Sequence, residues 1–87
     1  MTYLWKKSVS DKYYNIQTTN VGVSRKLRKI KGVLLISYSV NDFNEIYRIP
    51  VTNIQEAKRL LIQVTNQDIY AVKGGFMAKT QLAMDLK

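Results

Sequence analysis

The sequence predicts an α+β fold in which a four-stranded antiparallel sheet precedes one main helix. Between residues 13 and 49, short segments rich in aromatic and β-branched side chains alternate with turn-forming residues, as in consecutive antiparallel strands. Residues 54–64 then repeat apolar side chains at helical spacing. A chain of 87 residues has room for a single core. We therefore expect one domain over residues 1–87, with its core at about 13–65 and a C-terminal extension at 68–87.

The first two predicted strands are joined by a short turn. Residues 13–19 are rich in Tyr, Ile and Thr and predict the first strand, and residues 20–22 predict the turn after it. Residues 25–30 predict the second strand. Its alternation is imperfect, because Leu27 and Ile30 reach one face only if a bulge intervenes.

The third predicted strand, residues 33–40, has the clearest pattern and follows a tight corner at Lys31 and Gly32. Its alternating apolar side chains are assigned to the core: Leu34, Ile36, Tyr38 and Val40. A turn at 41–44 leads to a short fourth strand at 45–49, which Pro50 ends. Tyr47 of this strand is also assigned to packing.

The predicted helix has a marked start and end. Thr52 is expected to cap it while Gln55 reaches back, which is the pairing of a capping box. Asn66 and Gln67 are expected to end it. Its apolar stripe looks too large for the sheet of so short a domain, and we therefore expect a homodimer; the stripe consists of Ile54, Ala57, Leu60, Leu61 and Val64.

The extension is less regular. Residues 68–72 predict a fifth strand, Gly74 and Gly75 a break, and residues 76–86 a short terminal helix. The segment contains many apolar side chains, and we expect it to pack on the core or on a second subunit.

The net charge of +8 is unevenly distributed along the chain. Residues 1–31 hold eight Lys or Arg and one acid, whereas residues 32–87 hold six Lys or Arg and five acids. Five cations lie within seven residues: Arg25, Lys26, Arg28, Lys29 and Lys31. This concentration favours a surface that binds a polyanion, nucleic acid above all. The alternative is a solvated basic face without such a partner.

The residue inventory argues against catalysis. The chain has no Cys and no His, which excludes disulfides and removes the commonest general base and zinc ligands. The six acids are scattered, without the spacing of a catalytic pair or a metal cage. We therefore expect no enzyme, no metal, no cofactor and no small-molecule substrate. Without a signal-like start or an apolar run near the roughly 20 residues of a membrane span, we expect an intracellular protein with no membrane partner.

Candidate binding residues follow from the chemistry of single-stranded nucleic acid. Phosphates attract basic side chains, and we assign this contact to Lys26, Arg28, Lys29, Lys31 and Arg48. Ser37 and Ser39 offer hydrogen bonds from the third strand. Unpaired bases stack on aromatic rings, and Trp5 and Phe43 are the candidates because they lie outside the periodic core patterns.

Residues 24–36 resemble the transcriptional coactivator family known as positive cofactor four. A basic strand that ends in Ile30, Lys31 and Gly32 runs directly into an alternating apolar strand, and residues 49–52 precede a capped helix. The resemblance covers roughly residues 13–65. It implies a curved four-stranded antiparallel sheet backed by a helix, with dimerisation through the helices and basic channels for single-stranded DNA. By position, it also implies that Lys26, Arg28, Lys29 and Lys31 lie on the binding strand.

These observations together predict sequence-tolerant binding of single-stranded DNA in replication, recombination or transcription. An RNA-binding module remains an alternative, because its charge requirements are the same. A small phage-type inhibitor, whose basic patch docks on an acidic host protein, is a second alternative. The many Lys, Asn, Ile and Tyr residues are compatible with a microbial or phage source.

Overall fold

Two helices and six strands make up the described part of the chain, which is residues 1–6, 12–39 and 44–79 of a computed structural model. The elements, in chain order, are β1 (Thr2–Trp5), β2 (Asn15–Thr18), α1 (Val21–Arg28), β3 (Leu34–Ser39), β4 (Asn44–Arg48), α2 (Ile54–Thr65), β5 (Ile69–Val72) and β6 (Gly75–Ala78). The strands form one antiparallel sheet in the order β3-β4-β2-β1-β6-β5. The α+β class is therefore as expected, but the sheet has six strands rather than four and a second helix is present.

The core lies between the sheet and the two helices. Leu4, Ile16 and Tyr47 are cross-strand partners on β1, β2 and β4, so their side chains share one face of the sheet. All three are buried, in one cluster with side chains of both helices: Val23 and Leu27 of α1, and Ala57, Leu61 and Val64 of α2. Burying one large aliphatic side chain contributes about 1.5–3 kcal/mol, and this shared face holds the two helices in place.

Helix α1 replaces the second predicted strand, so the expectation of a strand at residues 25–30 is wrong. The helix begins after Asn20, whose side chain accepts a hydrogen bond from the backbone amide of Val23 at 3.0 Å. Val23, Ser24 and Leu27 then face inward at helical spacing. The residues predicted as a turn are thus the cap and first turn of a helix. The basic residues that resemble a binding strand instead lie on α1 and in the turn after it.

Strand β3 lies where a strand was predicted, but it is an edge strand with exposed apolar side chains. Leu34 and Ile36 are each 50% exposed and Tyr38 is 64% exposed, so their assignment to the core is wrong. The pairing with β4 shifts at Ile36, which introduces a bulge and moves Tyr38 to the opposite face from Leu34. Val40, assigned to the same core face, lies outside the described residues.

Helix α2 agrees with its predicted span and buried stripe. Its N-cap is Asn53 rather than Thr52, because the Asn53 side chain accepts hydrogen bonds from the amides of Gln55 and Glu56. Asn66 ends the helix in a left-handed conformation with φ of 55°. The residues at the centre of the stripe, Ala57, Leu61 and Val64, are buried within one chain. This stripe therefore no longer provides a reason to expect dimerisation through the helices.

The C-terminal segment is part of the sheet. Strand β5 was predicted, but residues 76–78 belong to β6 rather than to a helix, and β6 pairs with β1. Gly75 permits this pairing, because a Cβ there would lie 1.9 Å from the carbonyl oxygen of Leu4. β1 itself had no sequence prediction. The rest of the predicted terminal helix, residues 80–86, and the turn residues 41–43 lie outside the described part of the chain.

Candidate nucleic-acid interface

Both helices pack on one face of the sheet, and the other face of the described sheet carries no helix; we call it the helix-free face. Cross-strand pairing aligns its side chains in two rows across all six strands. The first row is Leu34, Arg48, Asn15, Trp5, Gly75 and Val72. The second row is Ser37, Ile46, Gln17, Tyr3, Met77 and Tyr70. Aromatic rings, hydroxyl groups, the Gln17 amide and an arginine therefore share one face, on which Asn15 is buried.

Several polar groups on this face have defined partners. The Tyr3 hydroxyl donates to the carbonyl of Lys73 at 3.0 Å, and Gln17 Nε2 donates to Asn44 Oδ1 at 3.3 Å. The indole Nε1 of Trp5 is buried and has no acceptor among the described residues. Tyr3 and Gln17 are thus held in place on this face.

A depression of about 180 Å³ lies at one corner of the helix-free face. Its lining is Tyr13, Gly32, Leu34, Arg48, Ile49 and Pro50. The guanidinium carbon of Arg48 lies 5.8 Å from the centroid of the Tyr13 ring, within the range of a cation–π contact. The Tyr13 side chain is 38% exposed. Lys12 and Lys31 are exposed and adjoin lining residues in sequence, so the depression combines an accessible ring with positive charge.

Gly32 shapes the wall of this depression. Its φ of 91° is in the left-handed region, and a Cβ there would lie 2.9 Å from Pro50 Cγ. The turn after α1 can therefore approach Pro50 closely only with glycine at this position.

A second depression of about 180 Å³ lies on the same face, toward the second row. It is lined by Met1, Tyr3, Gln17, Thr19 and Met77. The two depressions belong to different rows and are centred on different strands. An extended ligand that occupies both therefore crosses the sheet obliquely.

The structure brings together four of the nine sequence-predicted site residues. Trp5, Arg48 and Ser37 lie on the helix-free face, as does Ser39, which pairs with Asn44. Three of the other cations lie elsewhere, Lys26 and Arg28 on α1 and Lys29 at its C-cap, whereas Lys31 lies in the next turn and adjoins Gly32 of the depression. Phe43 lies outside the described residues. A single basic strand that carries Lys26, Arg28, Lys29 and Lys31 is therefore absent from the described part of the chain, and the prediction of such a strand is wrong.

Arg28 is engaged in the fold. Its Nη2 lies 2.7 Å from Glu45 Oε2 and its Nε donates to the Tyr47 hydroxyl at 2.8 Å. Ser24 and Tyr47 both donate to Glu45 Oε1. Burial raises the pKa of Glu45, but hydrogen bonds from Ser24 and Tyr47 and the charge of Arg28 outweigh it, so its pKa is lowered overall. The hydrogen bond to Tyr47 and the nearby Glu45 raise the pKa of Arg28.

Sequence reasoning missed four residues of the helix-free face. The sequence pattern predicts Tyr13 as part of a strand and assigns no binding role to Tyr3, Asn15 and Gln17. A usable signal is present, because Tyr3 with Trp5 and Asn15 with Gln17 have the two-residue spacing of side chains on one face of a strand.

Neither similarity to known proteins nor, among the described residues, a cluster of metal ligands adds a further assignment. No protein-family model matches the chain, and neither a curated protein nor a solved structure shows significant similarity to it. Among residues 1–6, 12–39 and 44–79, no group of three acidic, His or Cys side chains is placed to hold a metal ion. Neither described helix is long and apolar enough to cross a membrane.

Proposed function

We propose that this protein binds single-stranded DNA, with little sequence preference, on the helix-free face of its sheet. The observation that carries the proposal is the depression in which the accessible Tyr13 ring lies beside Arg48. The row that contains Arg48 continues through Asn15 to Trp5. An accessible ring for stacking and a cation for phosphate in one depression together match the chemistry of an unpaired strand.

Each group has a role in this proposal. An unstacked base packs against the Tyr13 ring, and Arg48 contacts the adjacent phosphate as a forked donor. Lys12 and Lys31, both exposed beside the depression, neutralise neighbouring phosphates and release counterions. Ser37 and Ser39 provide hydrogen-bonding groups on the third strand. Most of these contacts go to the nucleic-acid backbone and to the faces of its bases. This explains why the binding tolerates different DNA sequences.

The remaining charge supports the same partner at longer range. Lys26 and Lys29 are exposed on the helix side of the molecule, away from the helix-free face. There they raise the local concentration of a polyanion rather than contact it at the depression. A protein of this kind acts where single strands are exposed, in replication, recombination or transcription.

The test measures binding of a fluorescent oligothymidylate of about 16 nucleotides, at the upper end of site sizes for small single-strand-binding folds. Tyr13→Ala is expected to weaken binding by about 1–3 kcal/mol, the value of one base stacked on one ring. Tyr38→Ala is the matched control. Tyr38 is a more exposed tyrosine whose partner Glu45 faces the helices, so its removal leaves the affinity unchanged.

Competition with duplex DNA and with RNA of the same sequence completes the experiment. The single strand of DNA is expected to compete best. Preference for RNA would replace the DNA assignment with the RNA-binding alternative. Equal affinities of the wild type and Tyr13→Ala for every polymer would contradict the proposed site.

A further inference from the structure

The second depression on the helix-free face resembles the first in size and in its tyrosine. Both have a volume of about 180 Å³, and Tyr13 lines the first as Tyr3 lines the second. Sites for drug-sized ligands and cofactors enclose about 300–1,000 Å³. Each depression is therefore too small for such a ligand and suits a single flat ring system. The side chains that line the second depression carry no charge, which favours a base over a phosphate.

The Tyr3 ring is fixed at the second depression. Its hydroxyl donates to the carbonyl of Lys73 at 3.0 Å, and a Cβ at Gly74 would lie 3.1 Å from the hydroxyl oxygen. The turn between β5 and β6 therefore holds the end of the side chain, and glycine leaves room for it. Tyr3 is partly exposed. A base that stacks on this ring meets a side chain that is already ordered, so binding costs little side-chain entropy.

Met77 and Gln17 flank Tyr3 on the neighbouring strands. Met77 of β6 and Gln17 of β2 are the cross-strand partners of Tyr3 on its two sides. A thioether beside an aromatic ring provides an apolar, polarisable wall. The Gln17 amide has two N–H donors and an acceptor oxygen, and its contact with Asn44 uses one donor. The depression thus combines a surface for stacking with groups that hydrogen-bond to the edge of a base.

Strand β2 links the two depressions. Tyr13, which precedes β2, lines the first, whereas Gln17 and Thr19 near its other end line the second. The four residues from Tyr13 to Gln17 span about 13 Å along the strand, and the two strand spacings from β4 to β1 add about 10 Å across the sheet. The direct distance is therefore about 16 Å. At a rise of about 3.4 Å per nucleotide in a stacked strand, this distance corresponds to about five nucleotides, and to fewer in a more extended strand.

We propose that the second depression binds another base of the same single strand, about three to five nucleotides from the base at Tyr13. This inference rests on the proposed function and adds a path to it. The strand is held at Tyr13 and Arg48, crosses β2 obliquely and places a second base against Tyr3 and Met77. A single strand of about six nucleotides fills both depressions, whereas a dinucleotide fills only one.

The test compares the affinities of a thymidine dinucleotide and a thymidine decamer in NMR titrations. Tyr3→Leu keeps an apolar side chain in the sheet but removes the ring. It is expected to weaken binding of the decamer by about fivefold to 150-fold, the equivalent of one base stacked on one ring. The affinity for the dinucleotide is expected to stay unchanged, because the dinucleotide binds at Tyr13 and Arg48.

Tyr70→Leu is the matched control for Tyr3→Leu. Tyr70 lies in the same row of the helix-free face and is 46% exposed, but it does not line the depression. Its replacement is therefore expected to change neither affinity. An equal loss for the decamer in both variants would overturn the assignment of the base to the second depression.

Photochemical crosslinking locates both bases on the wild-type protein and so does not depend on the stability of a variant. In a hexamer with a single bromouracil, one end of the strand is expected to crosslink to the peptide that contains Tyr13. The other end is expected to crosslink to the peptide that contains Tyr3 or Met77. Crosslinks to the Tyr13 peptide alone, with wild-type affinity of Tyr3→Leu for the decamer, would overturn this inference and leave the proposed function in place. Wild-type affinity of Tyr13→Ala for both lengths would instead contradict the proposed function itself.

Discussion

Arg28 and Glu45 form an ion pair that joins α1 to β4, with 2.7 Å between Nη2 and Oε2. The carboxylate is buried, whereas the arginine side chain is 56% exposed. Ser24 and Tyr47 supply the remaining hydrogen bonds to the carboxylate. A buried carboxylate is costly unless it is fully hydrogen-bonded, so this cluster determines where α1 lies on the sheet.

Removal of the Tyr47 hydroxyl tests the cluster. Tyr47→Phe is expected to lower the free energy of unfolding by about 1–3 kcal/mol, because it leaves a buried carboxylate without one of its donors. Tyr38→Phe removes an exposed hydroxyl from the adjacent strand and is expected to have little effect. Urea denaturation of both variants measures the difference. Equal stabilities of the two variants would show that the hydroxyl contributes nothing to the fold.

Stability is also expected to depend on pH through Glu45. The pKa of Glu45 is lower in the folded chain than its ordinary value, which is about 4.3 in an unfolded chain. The ionised cluster therefore stabilises the fold at pH values above about 4.3, and this contribution is lost as the pH falls through the lower folded pKa.

The variant Glu45→Gln isolates this contribution, because the other acids are common to both proteins. We expect the wild type to be more stable than Glu45→Gln at neutral pH. The difference should shrink as the pH falls below about 4.3. Urea midpoints across this range provide the measurement, and a difference that grows toward acid pH would contradict the lowered pKa.

The start of α2 offers a direct comparison of two candidate caps. Asn53→Ala is expected to cost about 1 kcal/mol of stability, because the Asn53 side chain accepts from two amides of the first turn. Thr52→Ala removes the cap expected from the sequence and is expected to change stability little. Thermal melts distinguish the two positions, and a larger loss for Thr52→Ala would place the cap one residue earlier.

Local signals predicted much of this fold. The spans of α2, β4 and β5 follow from side-chain spacing and turn residues, which act over a few neighbouring positions. Residues 25–30 were misassigned because Leu27 and Ile30 fit neither the side-chain spacing of a strand nor that of a helix well. The helix depends on a cap at Asn20 and on Ser24, which faces Glu45. The cap at Asn20 is a local signal, whereas Glu45 lies 21 residues after Ser24 in sequence and no local pattern records that contact.

The same limit applies to the candidate interface. Arg48, Ser37 and Trp5 were selected by residue type, and they share a face only because of the strand order. That order places β1 between β2 and β6, and the order of the strands in the sequence does not predict this arrangement. The exposure of Leu34 and Tyr38 likewise follows from the edge position of β3 and the bulge at Ile36. Their alternation alone is that of a buried strand.

Salt dependence separates the two arginines that sequence reasoning treated alike. Arg48 lies in the depression on the helix-free face, whereas Arg28 is paired with Glu45 on the helix side. If Arg48 contacts one phosphate, Arg48→Gln should lower the slope of log affinity against log salt by about 0.7 for a single strand. Its stability should fall by at most about 1 kcal/mol, the value of an exposed cation–π contact such as the one with Tyr13. Arg28→Gln is expected to show the opposite pattern, with a lower melting temperature and an unaltered slope.

Arg48→Gln and Arg28→Gln serve as controls for each other, because each loses one positive charge and keeps a polar side chain. A general effect of net charge lowers the affinity for single-stranded DNA in both variants alike. A specific phosphate contact lowers it in Arg48→Gln alone, for every sequence tested, with an unchanged circular-dichroism spectrum. The measurement is a series of oligothymidylate titrations at several salt concentrations. A reduced slope in Arg28→Gln, with Arg48→Gln unaffected, would move the phosphate contact to α1 and away from the helix-free face.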